Sequence, residues 1–442
     1  MSGRIHFFAG IGGIGMSALA RHLIAQGAVV HGYDRQPSAL TKELERSGAR
    51  ICYGAAADEL PQEVLDAADL CVVYTPALGD DHPLLSHFRS RGASLLKRSE
   101  FLQHILKDRQ CWAVAGTHGK TTTSALLTHL LQSCGAQPTA FLGGVMNGLN
   151  SNYLKGNSPV CVAEADEFDR SFLRMDPTCA IITSIDSDHL DIYGDAQAYR
   201  SAFQTFREKV QGPCVVHSST GLHGTTYGLS KGDHRAENIR VDNGAYQFDW
   251  IGPEFSESLR FNQAGRHNLE NALAALALAA EMGMDPKQLA PALSHFPGVR
   301  RRMDRIYSSD RHLYYDDYAH HPMELHVLIE AMREWHPKKK LTLIFQPHLF
   351  SRTRDFLAEF AEELGRVDEL ILLPIYPARE EPIAGVTSER ILEGCPIGER
   401  SLAEAEDLLD LLQEKKPELL VTAGAGRIDH WVEPIRKIME KW

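Results

Sequence analysis

The sequence predicts an α/β protein of two or three domains, and three observations carry that prediction. At 442 residues the chain exceeds what one ordinary hydrophobic core accommodates. Short apolar runs alternate with helical stretches, the pattern of parallel β-α-β units. Two different glycine-rich turns each follow an apolar run and open a helix, which sets backbone N–H groups against phosphate oxygens. Two such turns in one chain imply two phosphate-bearing substrates.

The first hundred residues read as strand Ile5–Ala9, a helix from Ser17 to Gln26, and strands at Val29–Tyr33 and Leu70–Tyr74. Between the first strand and helix, Gly10-Ile11-Gly12-Gly13-Ile14-Gly15 matches G-x-G-x-x-G. Asp34 closes the next strand, about twenty residues on, where a Rossmann domain places its ribose-binding acid. The physics fixes only a diphosphate seat. A dinucleotide and a nucleotide-sugar diphosphate satisfy it equally, and glycines that merely let helix pack on strand are a third reading.

A boundary is expected near residues 107–111, just before the apolar run Cys111-Trp112-Ala113-Val114. The second turn follows: Ala115-Gly116-Thr117-His118-Gly119-Lys120-Thr121-Thr122-Thr123. It departs from the usual P-loop, since only Thr117 and His118 separate the two glycines and Val114 stands where the first glycine would fall. Strand, turn, lysine and hydroxyl-rich helix start still describe a phosphate cradle in which Lys120 adds positive charge and Thr121 can hold magnesium. Val160–Glu164 and Ala180–Ile185 read as central strands ending in acidic sequence. Glu164-Ala165-Asp166-Glu167 follows the first, and Ser187-Asp188-His189-Leu190-Asp191 the second. Hard magnesium prefers oxygen, which makes Thr121 and Glu164 the expected ligands, with His189 on a second ion. Acids at loop ends are otherwise solvated or capping residues; the phosphate turn tips the balance toward function.

Residues 213–262 are β-rich, and an alanine-rich helix runs from Asn268 to Met282. Before it stands Gly265-Arg266-His267-Asn268-Leu269-Glu270-Asn271, where Asn268 reads as an N-cap and Asn271 carries an amide suited to an adenine edge. A second boundary is expected near Phe296-Pro297-Gly298, followed by the short cluster Arg300-Arg301-Arg302. The last segment alternates strands (Leu313–Tyr315, Leu341–Phe345, Leu370–Leu373, Leu419–Thr422) with amphipathic helices. Asp316-Asp317-Tyr318-Ala319-His320-His321-Pro322 and Gln346-Pro347-His348-Leu349-Phe350-Ser351-Arg352 sit at strand C-terminal ends, where open α/β sheets place ligands. Adjacent histidines rarely point at one ion, which argues against zinc.

Composition excludes other classes. Charged residues are 24% and apolar residues 43%, ordinary for a globular protein, and the formal net charge is −12 without a long basic run, which argues against nucleic acid. No apolar stretch is long enough to span a bilayer, so no membrane insertion is expected. Met1-Ser2-Gly3-Arg4 runs into a strand without signal-peptide zones, and the eight scattered cysteines, none in C-x-x-C, read as reduced thiols. A cytoplasmic location is the expectation.

Taken in order over nearly the whole chain, these motifs resemble the Mur ligases, ATP-dependent amide-forming enzymes of peptidoglycan precursor synthesis. The stretches Gly10 to Ser17, Gly116 to Thr121, Asp317 to Pro322 and Gln346 to His348 are most similar to members that add L-alanine to UDP-N-acetylmuramate. Members that recycle a murein tripeptide are close in the central motifs. The resemblance implies three domains: a Rossmann-like UDP-sugar domain (1–107), a central P-loop-type ATPase domain (108–298), and a C-terminal Rossmann-like α/β domain (299–442) that closes over ATP and the amino acid.

It also implies roles. ATP would meet Gly116, Thr117, His118, Gly119, Lys120, Thr121 and Thr122, with His267 and Asn271 on the adenine side, Asp316 or Asp317 at the ribose, and Arg302 on phosphate. Lys120, Glu164 and His189 would serve catalysis, magnesium resting on Thr121, Glu164 and His189. Gly12, Gly13, Ile14, Ser17, Asp34 and Thr75 would serve the UDP-sugar, and Tyr318, His348 and Arg352 the amino acid. The implied partners are UDP-N-acetylmuramate and L-alanine, with the protein a monomer or weak homodimer.

Two departures stand out. Several family members carry a carbamylated lysine within Tyr-x-x-Ala-Lys; here the segment is Tyr199-Arg200-Ser201-Ala202-Phe203, a feature shared with the alanine-adding and recycling members. Leu349 stands where the alanine-adding pattern often has arginine, which leaves selectivity among alanine, glycine and serine open. A nicotinamide-dependent oxidoreductase accounts for the first turn but leaves Lys120 and its threonines without a task.

Overall fold

The computed structural model describes residues 4–79, 81–186, 190–378 and 380–442. Three sheets organise the chain. The first contains β1 (Ile5–Ala9), β2 (Val29–Tyr33), β3 (Arg50–Cys52), β4 (Leu70–Tyr74) and β5 (Ser94–Lys97). All its pairings are parallel, in the order β3-β2-β1-β4-β5. That is the Rossmann order, with its crevice between the carboxyl ends of β1 and β4, where the chain order reverses. The first glycine turn follows β1 and Thr75 follows β4, so both lie at that crevice.

The second sheet contains β6 (Gln110–Ala115), β7 (Thr139–Met146), β8 (Ser151–Leu154), β9 (Val160–Ala165), β10 (Cys179–Ile182), β11 (Cys214–His217), β12 (Thr225–Gly228), β13 (His234–Val241), β14 (Tyr246–Ile251) and β15 (Ser256–Phe261). Its order is β15-β14-β13-β12-β11-β10-β6-β9-β7-β8. β6 lies between β10 and β9 and is parallel to both, so the phosphate turn after β6 sits between two other strand ends. β10 is shorter than the sequence predicts: the strand ends at Ile182, and Thr183 and Ser184 brace that turn. The β7–β8 hairpin has no signal among the sequence expectations.

The third sheet contains β16 (Asp304–Ser308), β17 (Leu313–Asp317), β18 (Leu341–Phe345), β19 (Glu369–Leu372), β20 (Arg400–Leu402) and β21 (Leu419–Ala423), in the order β16-β17-β21-β18-β19-β20. Only the edge strand β16 is antiparallel. β17 extends two residues further than expected, so Asp316 and Asp317 belong to the strand rather than to the loop beyond it. The chain divides into two compact units. One runs to Asn238 and adds Phe248–Arg260 and Glu270–Pro297; the other comprises Ile239–Gln247, Phe261–Leu269 and Gly298–Trp442.

Burial explains the residue choices. The helix Arg266–Glu281 is alanine-rich because Leu269 and every residue from Ala272 to Ala279 are fully buried, leaving no polar face. It begins two residues before Asn268, so Asn268 is not an N-cap: it is buried, and its amide donates to the Ala264 carbonyl at 2.7 Å. Among the described residues all eight cysteines are free thiols. Four of them begin adjacent strands of the second sheet: Cys111 lies opposite Cys161, and Cys214 opposite Ala180, the neighbour of Cys179. The pleat puts Cys111, Cys161 and Cys214 on one face and Cys179 on the other. Burial pushes Cys161 and Cys214 up to about 12, and Cys111 well above the ordinary thiol value.

Phe203, at the position where some family members carry the lysine, is fully buried in an aromatic cluster. Its ring centroid lies 5.0 Å from that of Phe172 and 5.2 Å from that of Tyr199, and Phe172 stacks on Phe206 at 5.1 Å. Phe203→Ala is expected to destabilise this unit by about 3–5 kcal/mol. Urea unfolding followed by aromatic circular dichroism checks it; an unchanged midpoint would contradict the packing role.

Candidate active site

Gly116 and Gly119 take positive φ, 133° and 80°, which lets the turn reverse tightly without strain. Gly119 also has no room for a side chain, since a Cβ there would lie 2.3 Å from Asn271 Oδ1. The helix Lys120–Ser133 starts without a side-chain cap and without an acid in its first turn, so its first N–H groups and dipole are left to an anion. Residues after β10 brace the turn: Thr117 N donates to the Ser184 carbonyl at 3.1 Å, His118 N to Ser184 Oγ at 3.0 Å, and Thr183 Oγ1 to the His118 carbonyl at 2.5 Å. Thr117 Oγ1 donates to the Asp186 carbonyl at 2.9 Å and lies 2.9 Å from Tyr199 OH, so this side chain fixes the loop.

Lys120 Nζ donates to the Gly116 carbonyl at 2.6 Å and reaches both Glu167 oxygens, at 2.9 and 2.7 Å. Glu167 is 2% exposed; burial pushes its carboxyl up while the ammonium pulls it down. Glu164 is held differently. Its Oε1 accepts the Gly143 N–H at 2.6 Å and the Ser124 hydroxyl at 3.0 Å, while its Oε2 faces Thr121 Oγ1 at 3.3 Å. Desolvation raises the Glu164 carboxyl, opposed by the Gly143 N–H and Lys120. Thr122 is buried in the first helical turn, His118 points to solvent, and Thr123 Oγ1 donates to Asn271 Oδ1 at 3.1 Å. Asn271 thus packs against the phosphate turn, one helical turn from His267. His189 lies outside the described residues.

At the first glycine turn, Asp34 Oδ2 accepts the Gly12 N–H at 2.7 Å, tying β2 to the turn. Gly10 packs on Thr75, whose methyl would lie 2.6 Å from a Cβ there; Gly13 precedes the helix Ile14–Ala25, and Ile14 is 36% exposed. Ser17 departs from expectation. It is fully buried, its hydroxyl donates to the Ile14 carbonyl at 2.9 Å, and Asn152 Nδ2 on β8 donates to it at 2.9 Å. It fixes the helix rather than facing a ligand. Arg98, unremarked in the sequence although it directly follows β5, donates to Asp166 Oδ2 at 3.0 Å.

In the second unit, Arg302 sits between two residues with positive φ, Arg301 (59°) and Met303 (47°). Asp317 enforces this bend by accepting the Met303 N–H at 2.6 Å and the Ala319 N–H at 2.8 Å. Asp316 accepts from Arg301 Nε at 3.1 Å and Thr422 Oγ1 at 2.7 Å; burial pushes its carboxyl up to about 7 against the pull of Arg301. Both carboxylates thus hold the backbone and side chains around Arg302. The Arg302 guanidinium lies 5.4 Å from the Tyr318 ring centre. From Tyr318 the cluster continues to His320 (5.2 Å), His348 (6.1 Å) and Tyr376 (5.7 Å) between ring centres, with Arg352 Nη1 3.4 Å from His348 Nδ1. Tyr318, His348 and Arg352, predicted to serve the amino acid, are thus brought together. Leu349 takes φ 74°, held by its N–H on the Tyr376 carbonyl and by Glu380, which accepts the Ser351 N–H, both at 2.9 Å. Glu380 escaped notice because nothing in the sequence links it to Ser351.

Among the described residues no group of three or more His, Cys, Asp or Glu is arranged to hold a metal. Magnesium needs no such cage, since it takes one or two protein oxygens with phosphates and water. Thr121 and Glu164 fit that donor set.

Residues 4–110, 114–279 and 301–426 match three family models, described respectively as "Mur ligase family, catalytic domain", "Mur ligase middle domain" and "Mur ligase, glutamate ligase domain". The chain is 43% identical over 438 residues to a UDP-N-acetylmuramate–L-alanine ligase of Christiangramia forsetii, covering 98% of this chain and 97% of that one. It is 44% identical over 439 residues to the enzyme of that name from Flavobacterium psychrophilum, covering 98% of each. A solved UDP-N-acetylmuramate-alanine ligase from Thermotoga maritima superposes with a TM-score of 0.86 at 30% identity, covering 99% of both chains. A murein peptide ligase from Psychrobacter arcticus shares the fold, with a TM-score of 0.69 at 24% identity over 99% of this chain and 98% of that one.

Burial, Arg352 and His320 together lower His348 to about 4, so it is neutral near pH 7. Its folded value lies below the ordinary 6.5, so the unfolded chain binds the proton first, and this group costs stability as pH falls from about 6.5 to about 4. Arg352→Leu is expected to raise the His348 value, read by NMR titration of the ring; an unmoved titration would refute the electrostatic coupling.

Proposed function

The chain belongs to the Mur ligase family, and we propose that it joins L-alanine to UDP-N-acetylmuramate at the expense of ATP, giving UDP-N-acetylmuramoyl-L-alanine, ADP and phosphate in peptidoglycan precursor synthesis. The observation that carries this reading is the phosphate turn, with Lys120 and the Thr121–Glu164 pair on its helix, in a chain similar throughout to enzymes of that name. An oxidoreductase has no use for these groups.

The sugar-nucleotide carboxylate attacks the γ-phosphorus of ATP; its O–P bond forms as the bridging P–O bond to ADP breaks, giving an acyl phosphate. The amine of L-alanine then attacks the acyl carbon, the C–N bond forms, and phosphate leaves. Lys120, the Gly119 turn and the first N–H groups of the helix offset charge on the transferring phosphoryl group. Magnesium, when bound by Thr121 and Glu164, supplies further charge neutralisation there. Gly143 and Ser124 occupy one Glu164 oxygen and so orient the other toward that position. Arg352 suits the α-carboxylate of alanine. The alanine ammonium must lose a proton before its amine attacks; His348, lowered to about 4, is too weak a base to take it and serves as a neutral hydrogen-bonding group beside Arg352.

The three-domain division is proposed with its boundaries, UDP-sugar binding in 1–107, ATP binding in 108–298 and amino-acid binding in 299–442, supported by the spans of the family models. A monomer or weak homodimer is proposed. No helix among the described residues is long and apolar enough to cross a membrane, and the nucleotide substrates favour a cytoplasmic location.

Phosphate release with ATP, magnesium and UDP-N-acetylmuramate is expected with L-alanine, weaker with glycine or serine, and absent with the murein tripeptide. Turnover with the tripeptide alone would reassign the substrate. Lys120→Ala should lower the rate by about a thousandfold or more; normal amide formation by that variant would refute the phosphate role.

A further inference from the structure

Arg98 opens the helix Arg98–Leu106 immediately after β5, at the same strand ends as the first glycine turn. Its guanidinium lies over the first turn of the helix Ile14–Ala25: a Cβ on Gly15 would come within 2.8 Å of Nη1 and 3.0 Å of Cδ. Gly15, the last glycine of G-x-G-x-x-G, is therefore where this arginine fits. The other side of the guanidinium reaches Asp166, with Nη2 3.0 Å from Oδ2. Asp166 lies between Glu164, oriented toward Thr121, and Glu167, which holds Lys120. One side chain thus touches the sugar-nucleotide helix and the acidic motif of the phosphate site. The Arg98 side chain is 28% exposed, and Asp166 is its hydrogen-bond partner among the described residues, one contact for a group with five N–H donors.

We propose that Arg98 receives the carboxylate of the sugar-nucleotide substrate and holds it for attack on the terminal phosphate, a role that rests on the ligase reading above. The reaction needs a carboxylate between a diphosphate seated on the glycine turn and a triphosphate seated at Lys120, and Arg98 spans from one seat toward the other. A planar guanidinium matches a carboxylate with paired donors, which an ammonium does not reproduce. The backbone N–H groups of the turn serve the diphosphate, so the arginine and the turn recognise different parts of one molecule.

The test compares binding of UDP-N-acetylmuramate with that of UDP-N-acetylglucosamine, which has the same diphosphate but no carboxylate, by calorimetric titration of the full chain. Arg98→Lys should weaken UDP-N-acetylmuramate by about tenfold and leave UDP-N-acetylglucosamine and the KM for ATP within about twofold. Gly15→Ala, which displaces the guanidinium, should cause the same selective loss and decides the matter if Arg98→Lys fails to fold. Equal losses for both sugar nucleotides would assign Arg98 to the diphosphate and overturn the proposal, as would no loss for either. A wild-type protein that binds both equally and releases no phosphate with L-alanine would instead overturn the ligase reading.

Discussion

A nearly buried ammonium must have a counter-charge, and the phosphate site is built around that requirement. Lys120 is 16% exposed and Glu167 2% exposed, so neither charge has water to fall back on. Removing one partner of such a pair typically costs about 3–5 kcal/mol, because the other charge is stranded. Glu167 is fixed in turn: Tyr193 OH donates to its carbonyl at 2.7 Å, Tyr193 packs edge-on to Tyr199, and the Tyr199 hydroxyl meets Thr117 inside the turn. The circuit closes on the loop that holds Lys120. Two carboxylates three residues apart at one strand end therefore do different work, one neutralising the lysine and one oriented toward the hydroxyl beside it.

Much of this was legible in the sequence, because glycine turns and strand ends announce themselves. Alternating apolar runs located three of the five strands of the first sheet and the cores of the second and third, but not the short β3 and β5; the glycine spacing located both turns that open helices. What was not legible depends on pairs distant in sequence. Glu167 stands in the same short motif as Glu164, yet only the fold shows which acid takes the lysine. Arg98 follows a strand just as the predicted site residues do, but its partner is 68 residues away. The partners of Ser17, Asp316 and Asp317 inside the protein, namely Asn152, Thr422 and the Met303 N–H, likewise come from elsewhere in the chain and leave no local signal.

The second unit shows how an irregular backbone presents charged groups. Arg302 is flanked by two left-handed residues and His348 is followed by a third, Leu349. Such conformations cost roughly 1–3 kcal/mol each and persist only where surrounding bonds enforce them. Here Asp317, Glu380 and the Tyr376 carbonyl do so. Buried carboxylates and strained turns act together: the acids hold the bends, and the bends aim an arginine and a histidine outward from the strand ends.

The four cysteines that begin adjacent strands of the second sheet have a consequence unrelated to chemistry at the site. Their thiols are sealed from solvent and held far from their reactive, ionised form, so a thiol reagent gains access only when those strand ends open. The molecule carries a natural chemical clock for the breathing of its central sheet, one that no engineered label is needed to read. Because three thiols lie on one face and the fourth on the other, the order in which they become modified would report which layer of helices lifts first.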